Sequence, residues 1–172
     1  MYYILIADEQ EANEVKIPKE FKNKVEKIIL GYGEYNTVKT ITKLMMNGKF
    51  SKKDKFYNIG YVGSNEFEIG KVVPVGKVDR ETPSKHAKTK AYTLDSDYKV
   101  KCYTANDFVE SSKHIGVFDM ELYILATIFP KIKSVKVVSD NLNYKQYKKV
   151  NLKKSWETAN MILWNYIKND DK

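Results

Sequence analysis

The stretch Gly116 to Asn143, G-V-F-D-M-E-L-Y-I-L-A-T-I-F-P-K-I-K-S-V-K-V-V-S-D-N-L-N, most constrains how this chain can fold. It predicts a short helix opening with Asp119, Met120 and Glu121, a break at Pro130, and a strand, S-V-K-V-V, that delivers Ser139 and Asp140 at its carboxyl end. In open α/β sheets ligands bind just beyond the carboxyl ends of the strands, so a carboxylate there is placed for chemistry. Acids in the first turn of a helix also have an ordinary reason, because they complement the macrodipole. Taken singly, each acid reads as a cap or a solvated group. At opposite ends of one helix–strand unit, the pair reads as a site.

The rest of the chain alternates in the same way. Tyr2 to Ala7 predicts a buried first strand ending in the acidic turn Asp8-Glu9-Gln10-Glu11, and Ile17-Pro18 breaks the helix expected from Glu9 to Val15. Val25 to Leu30 predicts a second strand running into Gly31-Tyr32-Gly33. A helix is expected from Glu34 to Asn47, with Val38, Ile41, Thr42, Met45 and Met46 near helical spacing and Gly48 as its stop. Lys55 to Ile59 is a strand entering a second glycine turn, Gly60-Tyr61-Val62-Gly63-Ser64. Val72 to Val78 and Ala91 to Tyr103 add β-sequence around a polar, mobile loop carrying Arg80, Pro83, Lys85 and His86, and Thr104 to Val109 closes the β region. A long helix from Tyr144 to Ile167 is expected last, with Trp156, Ala159, Ile162, Leu163 and Tyr166 facing the core. This order predicts one domain over residues 1–172, a three-layer α/β/α fold with a mixed central β-sheet.

Composition narrows the function. The net charge of +8 invites nucleic acid, but the positive charge is nearly all lysine, scattered along the chain, and Arg80 is the only arginine. Bidentate base and phosphate contacts favour arginine, so nucleic-acid binding is not expected. No apolar run approaches membrane-spanning length, Met1 leads straight into a strand, and the single Cys102 offers no disulfide framework; a cytoplasmic protein is expected. His86 and His114 lack partners at metal-ligand spacing, so no metal is expected. Gly31-x-Gly33 lacks the third glycine of a dinucleotide fingerprint and the Lys-Ser/Thr of a P-loop, which leaves both glycine turns readable as simple turns or as anion cradles.

The motifs in order carry a resemblance. I-A-D-E-Q-E, G-Y-G-E-Y-N, N-I-G-Y-V-G-S, I-G-K-V-V-P-V, T-A-N-D-F-V, F-D-M-E-L and V-V-S-D-N follow one another as in the purine nucleoside phosphorylase and nucleosidase superfamily. The chain is most similar to its methylthioadenosine/S-adenosylhomocysteine nucleosidase branch. The resemblance implies Asp140 as general acid at the purine N7, helped by Ser139, and Glu11 as the acid that orients an attacking water. It implies Glu121 on the ribose hydroxyls, Met120 against the sugar, Phe108 stacked on the base, Val109 presenting backbone to the purine edge, and Gly60 and Tyr61 in the sugar pocket. No cofactor is implied; a homodimer is.

The departures are also specific. Family members are longer, the deficit falling between Glu14 and Val25 and between Gly76 and Tyr98. Tyr61 stands where a small residue is usual, and Asn106 where an acid is common. The phosphorylases clamp phosphate with arginines that this chain does not carry, so hydrolysis is expected over phosphorolysis; a non-catalytic nucleoside- or nucleotide-binding protein is the third reading.

Overall fold

The computed structural model describes residues 1–82, 89–95, 97–147 and 151–172. In chain order the elements are β1 (Tyr2–Ile6), α1 (Glu9–Glu14), β2 (Val25–Ile29), α2 (Gly33–Met46), β3 (Lys55–Ser64), β4 (Val72–Arg80), β5 (Tyr92–Thr93), β6 (Val100–Thr104), β7 (Val117–Asp119), α3 (Leu122–Ile128), β8 (Lys133–Asp140), α4 (Tyr144–Tyr147) and α5 (Lys153–Asp170). A single 3₁₀ turn, Lys19–Phe21, lies between α1 and β2.

Strand β1 shows why the layers form. It is apolar on both faces, as a strand flanked by parallel neighbours must be. Tyr3 and Leu5 enter a core beneath α2 and α3 with Ile41, Leu122, Leu125 and Ala126. Ile4 and Ile6 enter a second core beneath α1 and α5 with Ala12, Trp156, Ala159, Leu163 and Ile167. The sheet is thus the middle layer of an α/β/α fold, and it is mixed. β1 pairs in parallel with β2 and β3, and β3 with β8, whereas β4 runs antiparallel to β8. β4 pairs with β6, β6 with β7, and β7 returns to the far end of β3 at Gly63 and Ser64. The circuit β3–β8–β4–β6–β7 therefore closes on itself. The parallel strands β1, β3 and β8 all point their carboxyl ends to one side of the sheet.

Several expectations need correction. Residues 119–121 do not open a helix. Asp119 ends a strand, and its Oδ2 accepts the Leu122 N–H at 3.1 Å, so the acid caps the helix from outside its first turn. Gly60 to Ser64 is no turn either, because β3 continues through it with a register shift between Val62 and Gly63. The β-sequence from Ala91 to Tyr103 divides into β5 and β6, and β structure stops at Thr104 instead of reaching Val109. The last helix is two: α4 covers Tyr144–Tyr147 of the described residues, and after the non-helical residues 151–152 α5 starts anew at Lys153, whose N–H is accepted by Asn151 Oδ1. In α5 Trp164 and Ile167 join the buried stripe, while Ile162 and Tyr166 pack at its edge. Along α2, Ile41 is buried with Thr37, but Val38, Met45 and Met46 are exposed. Gly48, with φ of 67°, does follow the C-cap Asn47. Arg80 ends β4; Pro83, Lys85 and His86 lie outside the described residues.

Candidate active site

A cavity of about 330 Å³ opens where the carboxyl ends of β1, β3 and β8 meet β7. Every expected site residue except Gly60 lines it: Glu11, Tyr61, Phe108, Val109, Met120, Glu121, Ser139 and Asp140. Gly60 lies directly behind, against Glu11.

Asp140, the last residue of β8, is buried. The Ser139 hydroxyl lies 2.8 Å from its Oδ2 and 3.2 Å from the Val62 carbonyl, and the Asn143 N–H donates to Oδ1 at 3.2 Å. Because the serine proton can go to either acceptor, the site accommodates both protonation states of the acid. Burial pushes the Asp140 carboxyl above its ordinary value; the Ser139 hydroxyl and the N–H groups of Asn143 and Leu142 pull the other way. Leu142 makes this turn with φ of 58°, a left-handed conformation uncommon for a side chain of its size.

Glu121 precedes α3 and reaches back to the first glycine turn. Gly31 and Gly33 have φ of 82° and 80°, so this turn is real, and the Gly33 N–H it exposes donates to Glu121 Oε1 at 2.8 Å. That donor serves a protein carboxylate, which answers the anion-cradle alternative at this position. Glu11 is held by the N–H groups of Tyr61 at 2.7 Å and Ala7 at 3.2 Å. Here the second glycine segment finds its purpose. A Cβ on Gly60 would stand 3.0 Å from Glu11 Oε1, and one on Gly63 would stand 2.9 Å from Asp140 Oδ1. Both glycines make room for carboxyls; neither makes a turn. Gly60→Ala is expected to displace Glu11 and to cost about 1–3 kcal/mol of stability, read by urea unfolding. Unchanged stability would show that Glu11 yields freely.

The sequence reading missed Lys136. This lysine sits mid-strand in β8, almost wholly buried, 2.8 Å from an equally buried Asp119. Thr104 Oγ1 donates to the other Asp119 oxygen at 2.6 Å and accepts the Tyr123 N–H. A single lysine inside S-V-K-V-V was the visible signal, since a buried lysine needs an anion. Asp119 lines the cavity, Lys136 does not, and the lysine charge acts on both glutamates. Burial pushes Glu11 from 4.5 up to about 8, opposed by the Tyr61 N–H and by Lys136. Burial and the Asp119 charge push Glu121 from 4.5 up to about 7, opposed by Lys136 and the Gly33 N–H. Both glutamates therefore keep their protons in the folded chain at pH values where the unfolded chain has released them. The stability this confers is full below about pH 4.5 and is lost as pH rises through about 7 and 8. The melting temperature is expected to fall between about pH 5 and about pH 8, and Glu11→Gln to flatten the fall. A melting temperature that climbs over this interval contradicts the assignment.

An aromatic wall, also unforeseen, follows one side of the cavity. Phe108 meets Tyr144 at 5.3 Å, Tyr144 meets Tyr147 at 6.3 Å, and Tyr147 meets Tyr61 at 5.9 Å. Tyr61 is anchored against Trp156 of α5, whose Nε1 donates to its hydroxyl at 2.8 Å. Tyr32, also on the lining, donates its hydroxyl to Asp8. Among the described residues no lysine, arginine or histidine lines the cavity. Arg80 is engaged elsewhere, 2.7 Å from Glu34 Oε2 and over the Tyr123 ring.

No family model matches this chain, nor does any curated protein. Solved structures do. The 5′-methylthioadenosine/S-adenosylhomocysteine nucleosidase of Helicobacter pylori, 14% identical, superposes over 98% of this chain and 97% of its own with a TM-score of 0.74. The fold is that of the nucleosidases. The futalosine hydrolase of the same organism gives a TM-score of 0.74 at 14% identity, covering 98% of this chain and 97% of that one. The corresponding nucleosidase of Chlamydia trachomatis gives 0.74 at 17% identity, covering 97% of each chain. The cavity thus sits in a nucleosidase fold that this sequence builds with few of the same residues.

Proposed function

We propose that the chain, acting as one domain, hydrolyses the N-glycosidic bond of a purine nucleoside of the methylthioadenosine type. The observation that carries this reading is the convergence of Asp140, Glu121 and Glu11 in one cavity without a cationic side chain among its described lining residues. Burial favours a neutral Asp140, which can donate a proton to purine N7; a carboxylate could not. The C1′–N9 bond then breaks with its electron pair passing to the base, which leaves neutral. Glu121 binds the ribose hydroxyls, and negative charge on it favours the oxocarbenium-like sugar. Met120 packs on the sugar, Phe108 stacks on the base, and Val109 offers backbone groups to its edge. Water held by Glu11 adds to C1′ and gives up its proton to the glutamate, which accepts it in its ionised form, populated increasingly as pH rises toward about 8.

Phosphorolysis would need a clamp for a dianion, and Arg80 is already paired with Glu34. Base release is therefore expected to be independent of phosphate; a rate that rises in proportion to phosphate would make the protein a phosphorylase. A small nucleoside as ligand is supported by the Chlamydia nucleosidase, which was also crystallised as an aspartate-to-asparagine variant bound to MTA. A homodimer belongs to the same proposal. Tyr35, Val38, Met45 and Met46 are exposed along α2, which begins beside the cavity mouth at Tyr32. Light scattering that returns the mass of a single chain at micromolar concentration would remove it. The cytoplasmic location is likewise proposed, supported by a Cys102 that is free and buried; secretion of the native protein would refute it.

A further inference from the structure

Asp140 and Glu121 reach the cavity from different strands, and one polar turn at the end of β3 grips both approaches. Ser64 is fully buried. Its Oγ donates to the Gly116 carbonyl at 3.1 Å and accepts the N–H groups of Glu66 and Phe67 at 3.0 and 2.9 Å. Gly116 immediately precedes β7, the strand that leads to Asp119 and Glu121. Asn65 adds a second hold there, its Oδ1 accepting the Gly116 N–H at 3.1 Å and its Nδ2 donating to the His114 carbonyl at 2.7 Å. From the other side comes Asn141, the residue after Asp140. Its Nδ2 donates to the carbonyls of Ser64 and Phe67, each at 3.0 Å, and its backbone N–H donates to Gln146 Oε1 at 2.9 Å. Neither Ser64 nor Asn141 lines the cavity.

We propose that Ser64 and Asn141 are positioning residues that fix the Asp140 carboxyl relative to Glu121. The proposal rests on the nucleosidase reading only for the use made of those two carboxyls. A general acid must stand within hydrogen-bond reach of the base nitrogen while the sugar is held elsewhere, and a displacement of about 1 Å costs roughly 100-fold in rate. The link after Asp140 is not relaxed by itself, because Leu142 adopts a left-handed conformation that persists only where the surroundings impose it. The two Asn141 side-chain bonds and the Gln146 contact supply that constraint. They leave the Asn143 N–H aimed at Asp140 Oδ1.

The test compares Asn141→Ala with Gln146→Ala, which loosens the same link more gently, and with Tyr57→Phe, which removes a bond to Asp170 far from the link. Asn141→Ala is expected to lower kcat for base release by roughly 10- to 100-fold with KM little changed, Gln146→Ala by less, and Tyr57→Phe not at all. In the free protein, carbon NMR of the Asp140 carboxyl should show its titration moved in the first variant and unmoved in the last. The carboxyl groups sharing the cavity with it are Glu11, Asp107, Asp119 and Glu121, and the phenols are Tyr32, Tyr61, Tyr144 and Tyr147, so the titration is read with each of them in place. If the native protein cleaves no nucleoside while that titration still moves, the functional reading fails and the positioning role stands. Should Asn141→Ala not fold, Gln146→Ala supplies the same readouts. Native kcat together with an unmoved Asp140 titration in the folded variant overturns the proposal.

Discussion

Asp140→Asn is expected to reduce base release by about 10²- to 10⁴-fold while leaving nucleoside binding intact. Asparagine keeps the size of the side chain and an oxygen that can still accept the Asn143 N–H, so the cavity retains its shape. What it loses is the acidic proton. Without protonation at N7 the purine must depart as an anion, and binding and Glu121 alone cannot offset that cost. The pairing of measurements matters, because a non-catalytic binder would show the same affinity in both proteins and turnover in neither. Single-turnover base release, with calorimetry on the same preparations, separates the cases. Undiminished turnover in the variant would mean that another group protonates the base.

The largest effect on stability is expected from Lys136→Met. The side chains of Lys136 and Asp119 are 2% and 1% exposed, so removing the ammonium strands a carboxylate left with the Thr104 hydroxyl, the Leu122 N–H and the Cys102 thiol. Breaking a buried pair from one side costs about 3–5 kcal/mol. Replacing both partners, Lys136→Met with Asp119→Leu, is expected to recover most of that, because the desolvation penalty goes with the charges. Activity should not recover. The double variant lacks the cation that restrains Glu11, and that glutamate should then hold its proton to still higher pH. Urea denaturation of the single and double variants measures the coupling. A loss below about 1 kcal/mol in Lys136→Met would show that the pair is already hydrated.

Much of this site was legible in the sequence because short motifs end at the carboxyl termini of strands. V-V-S-D-N placed Asp140 correctly, and the acidic turn after β1 placed Glu11, since both positions follow from a buried strand running out. The errors have a common cause. Local pattern cannot distinguish a glycine that bends the chain from one that makes room, so Gly60 and Gly63 passed for a turn although their reasons are the carboxyls of Glu11 and Asp140. Nor could it show that Asp119 ends a strand, because β7 exists through pairing with β6 and β3, far away in the chain. Lys136 was overlooked because its anion comes from another strand. Val38, Met45 and Met46 sat at helical spacing, yet spacing alone does not say which face of α2 the sheet covers.

The most direct test of the account is release of free base and reducing sugar from a panel of purine and pyrimidine nucleosides, methylthioadenosine included, with and without phosphate. The account predicts release from a purine nucleoside at the same rate in both conditions, with sugar and base in equal amounts. Tight binding of a purine nucleoside with no release under either condition would contradict it, leaving a protein that holds its ligand in a nucleosidase fold without cleaving it.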